Sequence, residues 1–342
     1  MKTYIRRLGA VCLLIALMVG MSACTPQTPS TKDNNCLTII CTTYATKEIA
    51  KNLVKDWMTL PTGHGYDSVQ ISILGQAGRD LHSFEPTAAD LVSLVNADVF
   101  VYLGETAEPW VTSALSAVSA DGVNLSMMSA CEDALLPVGL DSDTCTPDGS
   151  GQDHDHDHDH AHSHGEGTAY DEHIWMSLGN MVTMTQAMSQ TLQSLVPHAK
   201  DLISANEQAY VASLQALDTK YRDMVAESEK KEVLIADRNP FAYLMHDYGL
   251  TCHAAFPGCS SETEASFATQ AKLLELVKDH GLSYIFQTEG GESSIAKTIG
   301  DATGAEVLTL HACQVMTEDE RWGVDYLTIM EKNFENLKKA LE

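Results

Sequence analysis

Residues 198–231, HAKDLISANEQAYVASLQALDTKYRDMVAESEKK, contain neither proline nor glycine. No other feature constrains the fold as strongly. Proline removes a backbone donor and clashes with the preceding turn, and glycine weakens a helix by about 1 kcal/mol, so a run free of both predicts continuous helix. At 1.5 Å per residue, about 30 residues extend ~45 Å, longer than one small domain requires. A helix of that length is expected to join two lobes.

The flanking sequence supplies those lobes. Before the long run, SVQISIL (68–74) and ADVFVYLG (97–104) read as strands, while TAADLVSLVNA (87–97) and EPWVTSALSAVSA (108–120) read as helices. After it, EVLIAD, LSYIFQTE and AEVLTLHAC read as strands, and SFATQAKLLELVKDHG, ESSIAKTIGDATG and DYLTIMEKNFENLKKALE as helices. This alternation predicts an α/β fold with a mainly parallel sheet flanked by helices in each lobe. The expected boundaries are 36–197 for the first lobe, 198–230 for one long rigid connecting helix, and 231–342 for the second lobe. Within 141–170 the composition turns to Asp, Gly, Ser and His, which predicts an exposed insert. Ligands of such folds sit in the cleft outside the carboxyl ends of the strands.

That rule selects residues. His82 follows the 68–74 strand, His173 opens a helical pattern directly after the insert, and His311 ends a second-lobe strand. Glu289 holds the corresponding place on the neighbouring strand. A lone histidine means little, but three falling at one expected cleft edge predict a metal site. Imidazoles with at most one carboxylate suit Zn²⁺ better than Mg²⁺, Ca²⁺ or Mn²⁺. The insert adds His154, His156, His158, His160, His162 and His164, interleaved with Asp153, Asp155, Asp157 and Asp159. A low-complexity loop must be ordered before it can ligate, so these six are expected to form weaker accessory sites.

The amino terminus and the charge fit an exported metal binder. Lys2, Arg6 and Arg7 precede an apolar stretch, 8–21, too short to span a bilayer with tilt to spare. It ends in MSAC, which resembles the lipobox of bacterial lipoproteins. The resemblance implies a signal peptide over 1–23, a lipid on Cys24 and a polar tether over 24–35. Loss of the three basic residues takes the formal charge of −26 to −29. Such acidity excludes a nucleic-acid partner and attracts cations.

The motifs GRDLHSFEPTAADL, DEHIWMS and NPFAYLMHDYGL, with the long helix and the final strand and helix, resemble the solute-binding lipoproteins of bacterial zinc and manganese ABC importers. The resemblance covers nearly all of residues 36–342, and the His-rich loop is similar to the zinc-specific branch. It implies two α/β lobes with the metal between them and ligands at His82, His173 and His311. The family's third ligand falls on Arg238, which cannot bind a cation. Water, Glu289 or a loop histidine is left to complete the shell. Arg238 can instead pair with a cleft carboxylate such as Glu289, which would then not be a ligand.

Seven cysteines follow Cys24. Cys259 and Cys313 are candidates for a disulfide bracing the loop of His311, with Cys252 competing for the same partner.

The expected function is capture of Zn²⁺ at the extracytoplasmic face of the cytoplasmic membrane, without catalysis. A lipid-anchored monomer would deliver the ion to a membrane permease driven by a cytoplasmic ATPase. Manganese or another divalent metal, or a metal-sequestering surface adhesin, remains an alternative. An exported metallohydrolase is disfavoured, because HExxH is absent and the Asp/His run does not match HxHxDH.

Overall fold

The computed structural model describes residues 35–63, 65–74, 84–118, 121–138, 142–144, 169–258, 265–290, 293–314, 316 and 324–342. Cys24, His82, the six histidines between His154 and His164, and Cys259 lie outside the described residues, as do 1–34 with the expected signal peptide.

The first sheet has four parallel strands: β1 (Cys36–Cys41), β2 (Ser68–Ile73), β3 (Val99–Tyr102) and β4 (Val123–Ser126), in the order β2-β1-β3-β4. Its register sets Ile39 against both Ile71 and Val99. VFVY in β3 is buried at all four positions. A parallel strand covered by helices on both faces has no solvent side, so its sequence need not alternate. Helices α1 (Tyr44–Leu53), α2 (Ala88–Asn96) and α3 (Trp110–Ala117) follow the first three strands, and a single turn, α4 (Met127–Ala130), follows β4. Capping boxes fix two of these starts, Thr43 with Thr46 and Thr87 with Asp90. Each satisfies amide donors that a first helical turn otherwise leaves open.

The second sheet has the order β5-β7-β6-β8-β9, again all parallel. Its strands are β5 (Ser142–Thr144), β6 (Glu232–Asn239), β7 (Thr251–Pro257), β8 (Tyr284–Gln287) and β9 (Glu306–Thr309). Strands β7-β6-β8-β9 repeat the topology of β2-β1-β3-β4, so both lobes present a crossover point at their carboxyl edge. β5 falls at the start of the expected insert and pairs with β7 at the sheet's edge, its backbone in register with Cys252–Ala254. The remaining helices are α5 (Leu178–Leu195), α6 (Lys200–Glu227), α7 (Ala242–Tyr248), α8 (Phe267–Asp279), α9 (Ser294–Thr303) and α10 (Tyr326–Leu341).

The Pro- and Gly-free run forms α6, 28 continuous residues preceded by a 3-10 turn at Pro197–Ala199. Ile203, Tyr210, Leu214, Leu217, Tyr221 and Met224 are buried along it at spacings of three, four and seven, one apolar stripe on a helix of 3.6 residues per turn. Near its start Asn206 donates to the carbonyls of Leu53 and Lys55 in the first lobe, at 3.0 and 2.8 Å. Near its end the Tyr221 hydroxyl donates to the Met330 carbonyl in the second, at 2.7 Å. One buried cluster includes Ile39 and Val101 from the first sheet, Leu214 and Tyr221 from α6, and Ile235 and Phe286 from the second sheet. The helix is thus packed into both lobes. Among the described residues no helix is long and apolar enough to cross a membrane.

Candidate metal centre

His173 precedes a 3-10 turn, Ile174–Met176, and its side chain is fully buried. The preceding residues set its chemistry. Oδ1 of Asp171 accepts from the backbone N–H of His173 and from its ring Nδ1, both at 2.8 Å. A carboxylate oxygen accepts, so the ring proton resides on Nδ1 and Nε2 carries the lone pair, which can ligate or accept. Nε2 faces Gln314, whose amide nitrogen lies 2.6 Å away and donates to it. The carboxylate of the buried Glu172 is 3.8 Å from the same nitrogen. Asp171, Glu172 and His173 each bring one potential ligand atom within 4.8 Å of the others.

Residues 171–177 are attached to the second lobe. The Tyr243 hydroxyl donates to the Asp171 carbonyl at 2.8 Å and accepts the Leu136 amide at 3.1 Å. Trp175 donates to the Ala312 carbonyl at 2.7 Å, and Tyr326 to the Trp175 carbonyl at 2.6 Å. Ser177 donates to Asp247 at 2.6 Å. At the end of β7, a Cβ on Gly258 would lie 2.6 Å from the Asn239 carbonyl and 3.2 Å from Cε1 of His173. Only a glycine lets the ring lie this close to the carboxyl ends of β6 and β7.

His311 and Glu289 each lie two residues beyond their strands, β9 and β8. Buried Asn333 fixes the backbone of His311, donating to its carbonyl at 2.9 Å and accepting its amide at 2.8 Å. The His311 ring accepts the Cys313 amide at Nδ1, 2.9 Å away. Cys313 adopts a left-handed φ of 59°, which costs a residue with a Cβ roughly 1–2 kcal/mol. Glu289 holds the same turn, its two oxygens accepting the amides of Ala312 at 2.7 Å and Gln314 at 3.1 Å. Its carboxylate is 3.5 Å from Nδ1 of His311. Arg238 is on β6 next to a register shift, its amide bonded to Asp237 at 2.8 Å.

Of the residues expected at the site, the described part of the chain therefore brings His173, His311 and Glu289 to one edge, connected through the 311–314 turn. Asp171, Glu172, Gln314 and Gly258 were not found from the sequence. The only local signal was that DEHIWMS sets two carboxylates directly before the histidine.

Two α/β lobes of repeated strand order share one long helix, and the edge where the strands of the second sheet end carries His173 and His311. The chain belongs to the family described as zinc-uptake complex component A, periplasmic, whose model matches residues 39–340. It is 30% identical over 333 residues to the high-affinity zinc uptake system protein ZnuA of Bacillus subtilis, with 97% of this chain and 95% of that protein covered. It is 28% identical over 301 residues to the zinc-binding protein AdcA of Streptococcus pyogenes, covering 88% of this chain and 55% of the relative. The chain thus spans about half the length of the first curated relatives it matches. Among solved structures, the metal-dependent lipoprotein YcdH from Bacillus subtilis superposes with a TM-score of 0.70 at 26% identity, covering 90% of this chain and all of that one (100%). The Zn(II)-bound ZnuA-like domain of Streptococcus pneumoniae AdcA gives 0.67 at 26% identity, covering 89% and 98%.

Proposed function

We propose that the chain captures Zn²⁺ outside the cytoplasmic membrane, tethered through an acylated Cys24, and delivers it to the permease of an ATP-driven importer. His173, whose lone pair Asp171 fixes on Nε2, is the observation that carries this reading. A buried imidazole locked in one tautomer is pre-organised to bind a metal that takes neutral nitrogen ligands. The names of the relatives, which bind or import zinc, support the choice of ion.

The proposed ligands are His82, His173 and His311, with Glu172, among the described residues, the carboxylate nearest the Nε2 of His173. Glu289 acts as a positioning residue, since both its oxygens hold backbone amides. His311 accepts the Cys313 amide at Nδ1, so in its neutral form the ring proton is on Nε2. Ligation through Nε2 requires that proton to shift to Nδ1, so the Cys313 amide gives up its bond to this nitrogen and the Glu289 carboxylate, 3.5 Å away, becomes the acceptor. The accessory histidines between His154 and His164 collect further Zn²⁺ more weakly. No step in this reading is catalytic.

Metal analysis of the purified mature chain tests the assignment. One tightly held Zn²⁺ per chain is expected, abolished by combined His82→Ala, His173→Ala and His311→Ala and retained when residues 153–165 are deleted. Tight zinc surviving the triple substitution, or lost with the deletion, would reject the ligand set.

A further inference from the structure

A second group of ligating side chains lies at the other end of the second sheet. Glu232 is the first residue of β6, His253 is the third of β7, and His280 caps the carboxyl end of α8. Register pairs Glu232 with Thr251 and Leu234 with His253, which sets the first two residues on adjacent strands near their amino ends. The helix α8 runs antiparallel to the strands and brings His280 to the same end. His311 and Glu289 lie past the carboxyl ends. The eight residues of β6 separate the two edges by ~25 Å.

The three residues form a set with the composition and spacing of a metal site. One ligand atom from each lies within 4.8 Å of the other two. Nδ1 of His280 contacts Oε2 of Glu232, and the two imidazole rings meet edge-on with centroids 5.7 Å apart. Zinc–ligand bonds of about 2.0–2.1 Å place tetrahedral donors about 3.3 Å apart, so shifts of about 1 Å would close the group around an ion. Two imidazoles and one carboxylate are a donor set used by Zn²⁺ with water as the fourth ligand. His253 is 7% exposed, whereas the side chains of His280 and Glu232 are 35% and 37% exposed, so one wall is fixed and one opens to solvent. The carboxyl end of α8 adds the negative end of a helix dipole, which favours a cation at His280.

We infer that Glu232, His253 and His280 form a second Zn²⁺ site, independent of the cleft and open to water. It is a peripheral site whose ion exchanges with solvent, at the opposite edge of the lobe from the proposed cargo site. Ion binding there holds the start of β6, β7 and the end of α8 together, stabilising the second lobe by mass action.

The test is residue-specific modification of the full mature chain. Diethyl pyrocarbonate labelling of His280 is followed by peptide mass spectrometry with and without Zn²⁺, which separates this histidine from those of 153–165. Zn²⁺ is expected to protect His280, and Mg²⁺ is not. Glu232→Gln, on the exposed side, is expected to raise the Zn²⁺ concentration for half-protection by roughly tenfold or more. His253→Gln is expected to do the same. The His82→Ala, His173→Ala, His311→Ala chain should keep the protection. Equal labelling with and without Zn²⁺, equal protection by Mg²⁺, or protection unchanged in both Glu232→Gln and His253→Gln would each overturn the site. Loss of protection in the cleft variant would overturn its independence and show that the protection was an indirect effect of cleft binding.

Discussion

A single oxygen of Asp171 holds His173 twice, accepting its backbone amide and its ring Nδ1 at 2.8 Å each. The backbone bond fixes where the ring starts and the ring bond fixes which nitrogen can ligate. Replacing Asp171 with Asn keeps the shape but allows the amide to present a donor to Nδ1, which favours the wrong tautomer. Zinc affinity should fall by roughly 10–100-fold while the fold is retained. Chelator competition with far-ultraviolet circular dichroism checks both halves of the expectation.

Glu172 and Glu289 should separate by effect. Glu172 is the described carboxylate nearest to Nε2 of His173, at 3.8 Å, and Glu289 braces a backbone turn. Glu172→Gln is expected to weaken zinc with little change in melting temperature. Glu289→Gln should lower the melting temperature too, because a neutral amide replaces a carboxylate that accepts two backbone N–H groups. Equal thermal effects in the two variants would remove the distinction.

Gln314 competes with the metal for one lone pair. Its amide is 2.6 Å from Nε2 of His173 and has to leave before an ion binds there. A neutral hydrogen bond is worth about 1 kcal/mol net, so Gln314→Ala should tighten zinc or speed its capture by about fivefold. Stopped-flow zinc association measures this directly. A slower or weaker variant would mean that Gln314 assists the site.

Gly258→Ala should damage both stability and binding. The added methyl would stand 2.6 Å from the Asn239 carbonyl, a backbone atom with little room to retreat, and 3.2 Å from the His173 ring. Overpacking of this kind costs about 1–3 kcal/mol. The outcome is read as a lower melting temperature together with weaker zinc. A change in melting temperature alone would show that the ring adapts.

Stability should decline from mildly acidic to mildly alkaline pH. Burial pushes the carboxyl of Glu108 from 4.5 up to about 7, against the opposing pull of nearby donors such as the Leu103 amide, which donates to it at 2.6 Å. The folded chain then holds a proton that the unfolded chain has released between those values, so this contribution is complete below about 4.5 and lost as pH rises through about 7. Its ceiling is about 3 kcal/mol. Glu48 and Asp247 are also raised by burial and act in the same direction. Glu108→Gln should flatten, though not abolish, the fall in melting temperature of the metal-free chain between pH 5 and 8. An unchanged slope would show that Glu108 takes no part.

Much of this was legible in the chain itself. A Pro- and Gly-free run had to become a long helix, because nothing in it breaks the backbone ladder. Apolar β-branched runs such as VFVY had to become buried strands, and the edge rule selected His311 and Glu289 where strands end and His173 where a helical pattern opens. β7 was not legible, since TCHAAFP has neither β-branched continuity nor alternation. It is a strand because β5 and β6 satisfy its backbone from both sides, and with it came His253. The carboxylate that orients His173, the amide that occupies its lone pair and the glycine that admits its ring were likewise invisible as a set. Gln314 and Gly258 are distant from His173 in sequence, and only the packing of the 171–177 segment onto the second lobe brings them to it. Periodicity and backbone chemistry are local and can be read from neighbours along the chain. Lone-pair occupancy and close approach depend on residues far along the chain, and the tautomer on which ring nitrogen the folded segment turns toward Asp171, so only tertiary structure decides them.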